Sequence, residues 1–153
     1  MLYNKPSNDK AFNDNYVRAV DALFDSLYYL EPSYFYHSLS RREYIKEHRT
    51  VLVKLPRQTG KSTYIQSLQA TLVRKNSKRF LLVSSSPKSL SPYPITPYQF
   101  YRSSSIRALV GRNFDGILFD EFSKKEIDEF MDSDVIQNTL ISTANPIIFG
   151  LTT

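Results

Sequence analysis

The amino-acid sequence predicts an α/β fold: a mostly parallel sheet flanked by helices, with a helical N-terminal extension. Three observations lead there. Short apolar runs recur at 50–55, 80–84, 116–121, 138–143 and 147–151. The first of them is rich in β-branched residues, as suits the buried strand of a parallel sheet. Between the runs lie segments whose apolar side chains fall at three- and four-residue spacing, one face of a helix. The alternation of the two implies βαβ units. No internal repeat is visible.

Taken in order, residues 8–30 carry Phe12, Tyr16, Val20, Leu23, Phe24 and Leu27 on one helical face, and Pro32 ends that helix. An aromatic stretch, YFYHSL, follows at 34–39. Ser40-Arg41-Arg42-Glu43 reads as a capping box, with Leu39 and Tyr44 placed as a hydrophobic staple, so a short helix is expected over 41–48. TVLVKL, residues 50–55, is the first strand. The loop PRQTG interrupts it, and KSTYIQSLQATLVRK resumes with helical spacing at Ile65, Leu68 and Leu72. FLLVS, 80–84, is the second strand. Residues 84–98 hold four prolines and five serines, a density that helices and interior strands do not tolerate. This long loop is either functional and mobile or an irregular connector packed by its tyrosines. A helix is expected over 99–110, a third strand at GILFDE (116–121) and a short polar helix at SKKEIDEFMDS (123–133). NTLIST (138–143) is the fourth expected strand and IIFGL (147–151) the fifth. The division expected is a helical extension over 1–49 and a core over 50–153.

Composition narrows the class. A chain of 153 residues suits one domain, and 41% hydrophobic with 23% charged residues is ordinary for a globular protein. Cysteine is absent, which excludes disulfides and thiolate metal sites. His37 and His48 are the only histidines and are expected at the surface, so no multi-histidine metal site is expected. No apolar run approaches the ~20 residues of a membrane helix, and the N-terminus lacks the apolar core of a signal peptide. A cytoplasmic protein without membrane contact is the expectation. The net charge of +5 leans mildly towards a polyanionic partner.

Residues 55–62 read LPRQTGKS. A phosphate-binding loop places glycine, four residues, then Gly-Lys-Ser/Thr between a strand and a helix. Gly60, Lys61 and Ser62 fit, whereas Leu55 stands at the opening glycine. The expected strand before and helix after would turn backbone N–H groups and a helix N-terminus onto one point, which suits a phosphate. Lys61 would then neutralise β- and γ-phosphate oxygens, Ser62 would offer its hydroxyl to Mg²⁺, and Gly60 would let the backbone approach. The alternative is an ordinary strand-to-helix turn with an exposed lysine. GILFDE is an apolar strand ending in Asp120 and Glu121, at the strand end where parallel sheets bind ligands. There Asp120 would hold Mg²⁺ and Glu121 would polarise the attacking water; solvated acids in a turn are the alternative. LISTANP (140–146) ends in small hydroxyl and amide side chains. In a phosphate-loop fold such a strand lies between the loop's strand and the acidic strand, so its tip can sense the γ-phosphate. Turn chemistry before a proline explains it equally well.

PRQTGKS, GRNFDGILFDE and LISTANP, in this order, resemble the ATPase domain of the large subunit of viral (bacteriophage) DNA-packaging terminases. The resemblance covers about residues 50–150 and implies a P-loop NTPase of RecA/ASCE-like arrangement that hydrolyses ATP with Mg²⁺. The nucleotide would be held by Pro56, Arg57, Gln58, Thr59, Gly60, Lys61, Ser62 and Thr63, and the metal by Ser62 and Asp120. Glu121 would be the catalytic base and Arg57 an arginine finger in cis, with a surface charge or a DNA contact as the other reading of Arg57. Ser142, Thr143 and Asn145 would sense the phosphate and couple hydrolysis to movement. The implied partners are double-stranded DNA, further copies of the chain and other packaging proteins (portal, small subunit, a separate nuclease), in the host cytoplasm. The family's nuclease domain has no expected counterpart here. Glu126, Asp128, Glu129, Asp132 and Asp134 read instead as a solvated face of one polar helix. The coupling segment reads STANP where the family has a form close to STP.

Two other functions compete. Another DNA-dependent P-loop ATPase, such as a helicase fragment or an AAA+-like protein, would use Asn145 as a sensor and need a second domain or lid from a partner. A non-catalytic binding module would keep the fold as a scaffold, but nothing in a scaffold requires Lys61, Ser62, Asp120 and Glu121 together.

Overall fold

The computed structural model describes residues 14–29, 39–57, 60–85, 99–101, 104–141, 143 and 145–153. They form a mixed α/β fold around a five-stranded, all-parallel sheet. The elements are α1 (Asp14–Tyr28), α2 (Arg41–His48), β1 (Thr50–Lys54), α3 (Lys61–Arg74), β2 (Phe80–Ser84), β3 (Gln99–Tyr101), a 3-10 turn (Ile106–Leu109), β4 (Gly116–Asp120), α4 (Lys124–Met131), α5 (Asp134–Thr139) and β5 (Ile147–Thr152). The sheet order is β1-β5-β4-β2-β3.

Strand alternation divides the core into two layers. Leu82, Leu118, Phe149 and Leu151 face α1 and α3, where Val20, Phe24, Tyr64, Ile65, Leu68 and Leu72 close over them. Leu81, Val83, Ile117, Phe119 and Ile148 face the other way, against Ile45, Ile127, Met131, Ile136 and Leu140. Each such side chain removed from water contributes roughly 1.5–3 kcal/mol, and both faces of a parallel sheet need this cover.

The helices expected at 8–30 and 41–48 are found within the described residues as α1 and α2. The buried stripe of α1 is rotated from the expected one: Leu23 is 42% exposed, while Asp21 is buried. The Asp21 Oδ1 atom accepts a hydrogen bond from the Tyr64 hydroxyl at 2.8 Å, which draws that side of the helix inward. At α2, Ser40 Oγ accepts from the Glu43 N–H at 3.2 Å, as the capping residues predict. Arg49, fully buried after α2, donates to the carbonyls of Leu27 and Pro146 and so ties α1 to the start of β5. His48 is half-buried against the Tyr44 ring. His37, the aromatic stretch up to residue 38 and loop residues 86–98 lie outside the described residues.

Three expectations are corrected. Residues 138–143 are not a strand: α5 runs to Thr139 and a turn follows. Ile136, Thr139 and Leu140 are buried together on one helical face, and the Arg41 guanidinium donates to the carbonyls of Leu140 and Thr143, capping the helix end. Residues 99–110 are not one helix. Gln99–Tyr101 pairs with β2 as an edge strand, and only Ile106–Leu109 forms a helical turn, of the 3-10 kind. The acids of 126–134 do not share one helix either. Ser123 and Glu126 form a capping box at α4, Asp128 pairs with Lys124, Asp132 caps the end of α4, and Asp134 opens α5.

Gly116 opens β4 where no other residue fits, since a Cβ there would collide with the Phe80 ring and the Ile147 carbonyl. Among the described residues no helix is long and apolar enough to cross a membrane.

Candidate functional site

The strand register brings the chemistry-bearing residues to one edge. Val53 pairs with Leu151, Leu151 with Asp120, and Asp120 with Ser84, so four strands end side by side. The carboxyl ends of parallel strands are where such sheets bind ligands.

From β1 the chain turns through Pro56 and Arg57, both exposed, and reaches α3 at Lys61. Gln58 and Thr59 lie outside the described residues. Gly60 has φ 83°, a left-handed conformation that glycine adopts without cost, and no side chain caps α3. The first-turn amides of Lys61, Ser62 and Thr63 are therefore not capped by a side chain, at the positive end of the helix. Lys61 is buried at this point. Its Nζ donates to the Pro56 carbonyl at 3.0 Å and pairs with Glu121 Oε1 at 3.2 Å.

Asp120 is fully buried, and the Ser62 hydroxyl faces its carboxylate without reaching full hydrogen-bond geometry. Burial pushes its pKa from 3.8 up to about 6, and the Glu121 charge adds to this. The Ser62 hydroxyl and the Lys61 ammonium act in the opposite sense, which puts both beside the carboxyl. A buried carboxylate with so little hydrogen bonding is costly unless a cation meets it. Among the described residues, no group of three or more His, Cys, Asp or Glu side chains could cage a metal. One carboxylate beside one hydroxyl fits an ion such as Mg²⁺, which takes most of its ligands from water and phosphate.

Glu121 follows with φ 61°, a strained value for a residue with a side chain. Four contacts from the end of β5 hold its carboxylate: Thr152 Oγ1 at 3.4 Å from Oε2, the Thr153 N–H at 3.2 Å, and Thr153 Oγ1 at 3.0 and 3.1 Å from the two oxygens. Burial alone would raise the Glu121 pKa. Hydrogen bonds from Thr153 and Lys61 outweigh it and hold the group below its ordinary value, ionised.

Lys61, Ser62, Asp120 and Glu121 thus converge, and the Pro56 carbonyl joins them. Thr63 is half-buried one residue further along α3, and Arg57 faces solvent in the turn. The residues expected to couple do not converge. Thr143 follows α5, and Asn145, whose Oδ1 accepts from the Tyr44 hydroxyl at 2.9 Å, precedes β5. Both sit at the opposite edge of the sheet, a strand length away, and Ser142 lies outside the described residues. The strand between β1 and β4 is β5, so Thr152 and Thr153 occupy the position that had been expected of residues 142–145. The signal was present in the sequence: IIFGL is an apolar run that ends in Thr-Thr.

No protein-family model matches this chain, and no curated protein and no solved structure matches it significantly.

Proposed function

We propose that this chain is an Mg²⁺-dependent ATPase of the P-loop kind, a motor domain like that of terminase large subunits, which moves double-stranded DNA during viral genome packaging. The observation that carries this reading is the meeting of a buried lysine at an uncapped helix start with an Asp-Glu pair at the tip of β4. A strand inserted between β1 and β4 supports a RecA/ASCE-like arrangement.

The roles follow from the contacts. Lys61 leaves Glu121 and the Pro56 carbonyl for the β- and γ-phosphates, an exchange of one anionic partner for a more highly charged one. That exchange releases Glu121 Oε1, which takes a proton from the attacking water while Thr152 and Thr153 hold the carboxylate in place. Mg²⁺, held by Ser62 and Asp120, would supply charge neutralisation across the phosphates. The first-turn amides of α3 hold phosphate oxygens, with Gln58, Thr59 and Thr63 completing the loop. Arg57, exposed beside the loop, is the arginine finger in this reading and is free to turn onto the γ-phosphate. One small domain cannot enclose DNA, so the acting unit is an oligomer working with the other packaging proteins.

The test is Mg-ATP turnover with and without duplex DNA, for wild type and Glu121→Gln. Wild type hydrolyses ATP. The variant still binds Mg-ATP and turns over about 10²–10⁴-fold more slowly, the usual contribution of a general base. A wild-type chain that binds Mg-ATP but never hydrolyses it, with DNA and partner proteins present, ends the motor reading.

A further inference from the structure

At the sheet edge opposite the candidate nucleotide site, the chain leaves α3 through Arg74-Lys75-Asn76-Ser77-Lys78-Arg79. All four cations of this turn are exposed. A second segment joins them: the Asp115 N–H donates to the Arg79 carbonyl at 2.8 Å, and Asp115 Oδ2 accepts from the Arg79 N–H at 2.7 Å. Arg112, three residues before Asp115, lies over the Phe114 ring at 5.1 Å. Residues 74–79 and 112–115 thus hold five cations and a single acid, close to the whole net charge of +5. That acid is already engaged by Arg79, 3.5 Å away.

A helix C-terminus favours cations in its last turn, which accounts for Arg74 and Lys75. Arg79 is held by Asp115 and Arg112 lies over the Phe114 ring, but none of these accounts for Lys78, which lies beyond the helix dipole's reach. Nor does packing, because the cations of the turn are in solvent.

We propose that this edge is a contact surface for the phosphate backbone of duplex DNA, with Lys75 and Lys78 as direct phosphate contacts. The inference rests on the reading of DNA as the partner and names the face that meets it. The turn is polar throughout and Asp115 pins its backbone at Arg79, so the cations project from a fixed stretch of chain, and phosphate contacts position a protein on a duplex. An anionic membrane is less well served. Val110 is exposed two residues from Arg112, but one valine falls far short of the aromatic and leucine-rich face that membrane-surface binding uses. Arg74 lies about 20 Å from Lys61 along α3, at ~1.5 Å per residue, so DNA held here leaves the nucleotide site open.

The test is the salt dependence of binding to a labelled 30-base-pair duplex, for the full 153-residue chain without nucleotide. Lys75→Gln/Lys78→Gln is compared with wild type and with Lys124→Gln/Lys125→Gln on α4. Loss of two phosphate contacts lowers the slope of log affinity against log salt by about 1.8, so the affinity lost between ~50 and ~200 mM salt shrinks roughly tenfold. The α4 variant keeps the wild-type slope. The proposal is overturned if the two variants behave alike, if the Lys75/Lys78 variant keeps the wild-type slope, or if phosphatidylserine vesicles capture the chain and the duplex does not. Binding is read without nucleotide, so a failed ATPase reading leaves this result standing. Conversely, a chain that ignores DNA yet hydrolyses ATP through Glu121 overturns the surface and the DNA-motor role with it, and leaves the ATPase chemistry standing.

Discussion

Asp120 responds to pH in a direction set by its burial. Its folded-state pKa of about 6 lies above the ordinary 3.8, so folding favours the protonated form. The stability this confers is complete below pH ~4 and is lost as pH rises through 6. Above that, the nucleotide-free protein carries a buried charge costing on the order of 3 kcal/mol. Asp120→Asn is therefore expected to melt higher than wild type at pH 8 and nearly level with it at pH 4. Thermal unfolding at the two pH values checks this, and equal differences at both would contradict it. Under the proposed ATPase function the same variant is expected to lose Mg²⁺-dependent turnover, which would mark the carboxylate as kept at a cost to stability. Glu121 shows the opposite balance, since its donors from Thr153 and Lys61 outweigh its burial.

Elements are joined by small residues whose neighbours leave no space for more. At the start of β4, Gly116 lies against the Phe80 ring and the Ile147 carbonyl, and a carbonyl of a central strand cannot retreat. Gly116→Ala is expected to destabilise the fold by about 1–3 kcal/mol, the usual cost of overpacking; chemical denaturation measures it. A neutral result would mean that β4 and β5 separate more easily than their register suggests. The 99–110 and 138–143 segments show where element type was not legible. Gln99–Tyr101 became a strand because β2 offered an unpaired edge. Asn138 and Thr139 joined the end of a helix, and Arg41, about a hundred positions earlier, donates to the carbonyls that follow it at Leu140 and Thr143. Neither partner is visible in a local window, whereas the capping residue Ser40 was, because a cap is satisfied within four residues.

At the scale of the molecule, strand order decides which residues share an edge. With β5 between β1 and β4, Thr152 and Thr153 reach Glu121, while Asn145 stays at the far edge with Tyr44. Thr153→Val is expected to raise the Glu121 pKa, readable by carboxyl NMR, and to slow ATP turnover about tenfold or more. Asn145→Ala is expected to cost about 1 kcal/mol of stability for its lost hydrogen bond and to leave turnover unchanged. If the two effects were exchanged, the assignment of the coupling position to the end of β5 would be wrong.

Local sequence pattern determined the α/β class and seven of the helices and strands to within a residue or two, and the GKS loop with the acidic strand end pointed to the gathering of Lys61, Ser62, Asp120 and Glu121. Those readings hold because apolar spacing and capping act over a few neighbouring residues, and because parallel strands deliver their ends to one edge. The tertiary structure alone decided the rest. It placed β5 rather than residues 138–143 beside β4, joined Lys61 to Glu121, buried Asp120 with little hydrogen bonding and joined Asp115 to the turn at 74–79. Each of these depends on which strand pairs with which, and strand pairing is a contest among distant segments for the same hydrogen bonds and the same buried space.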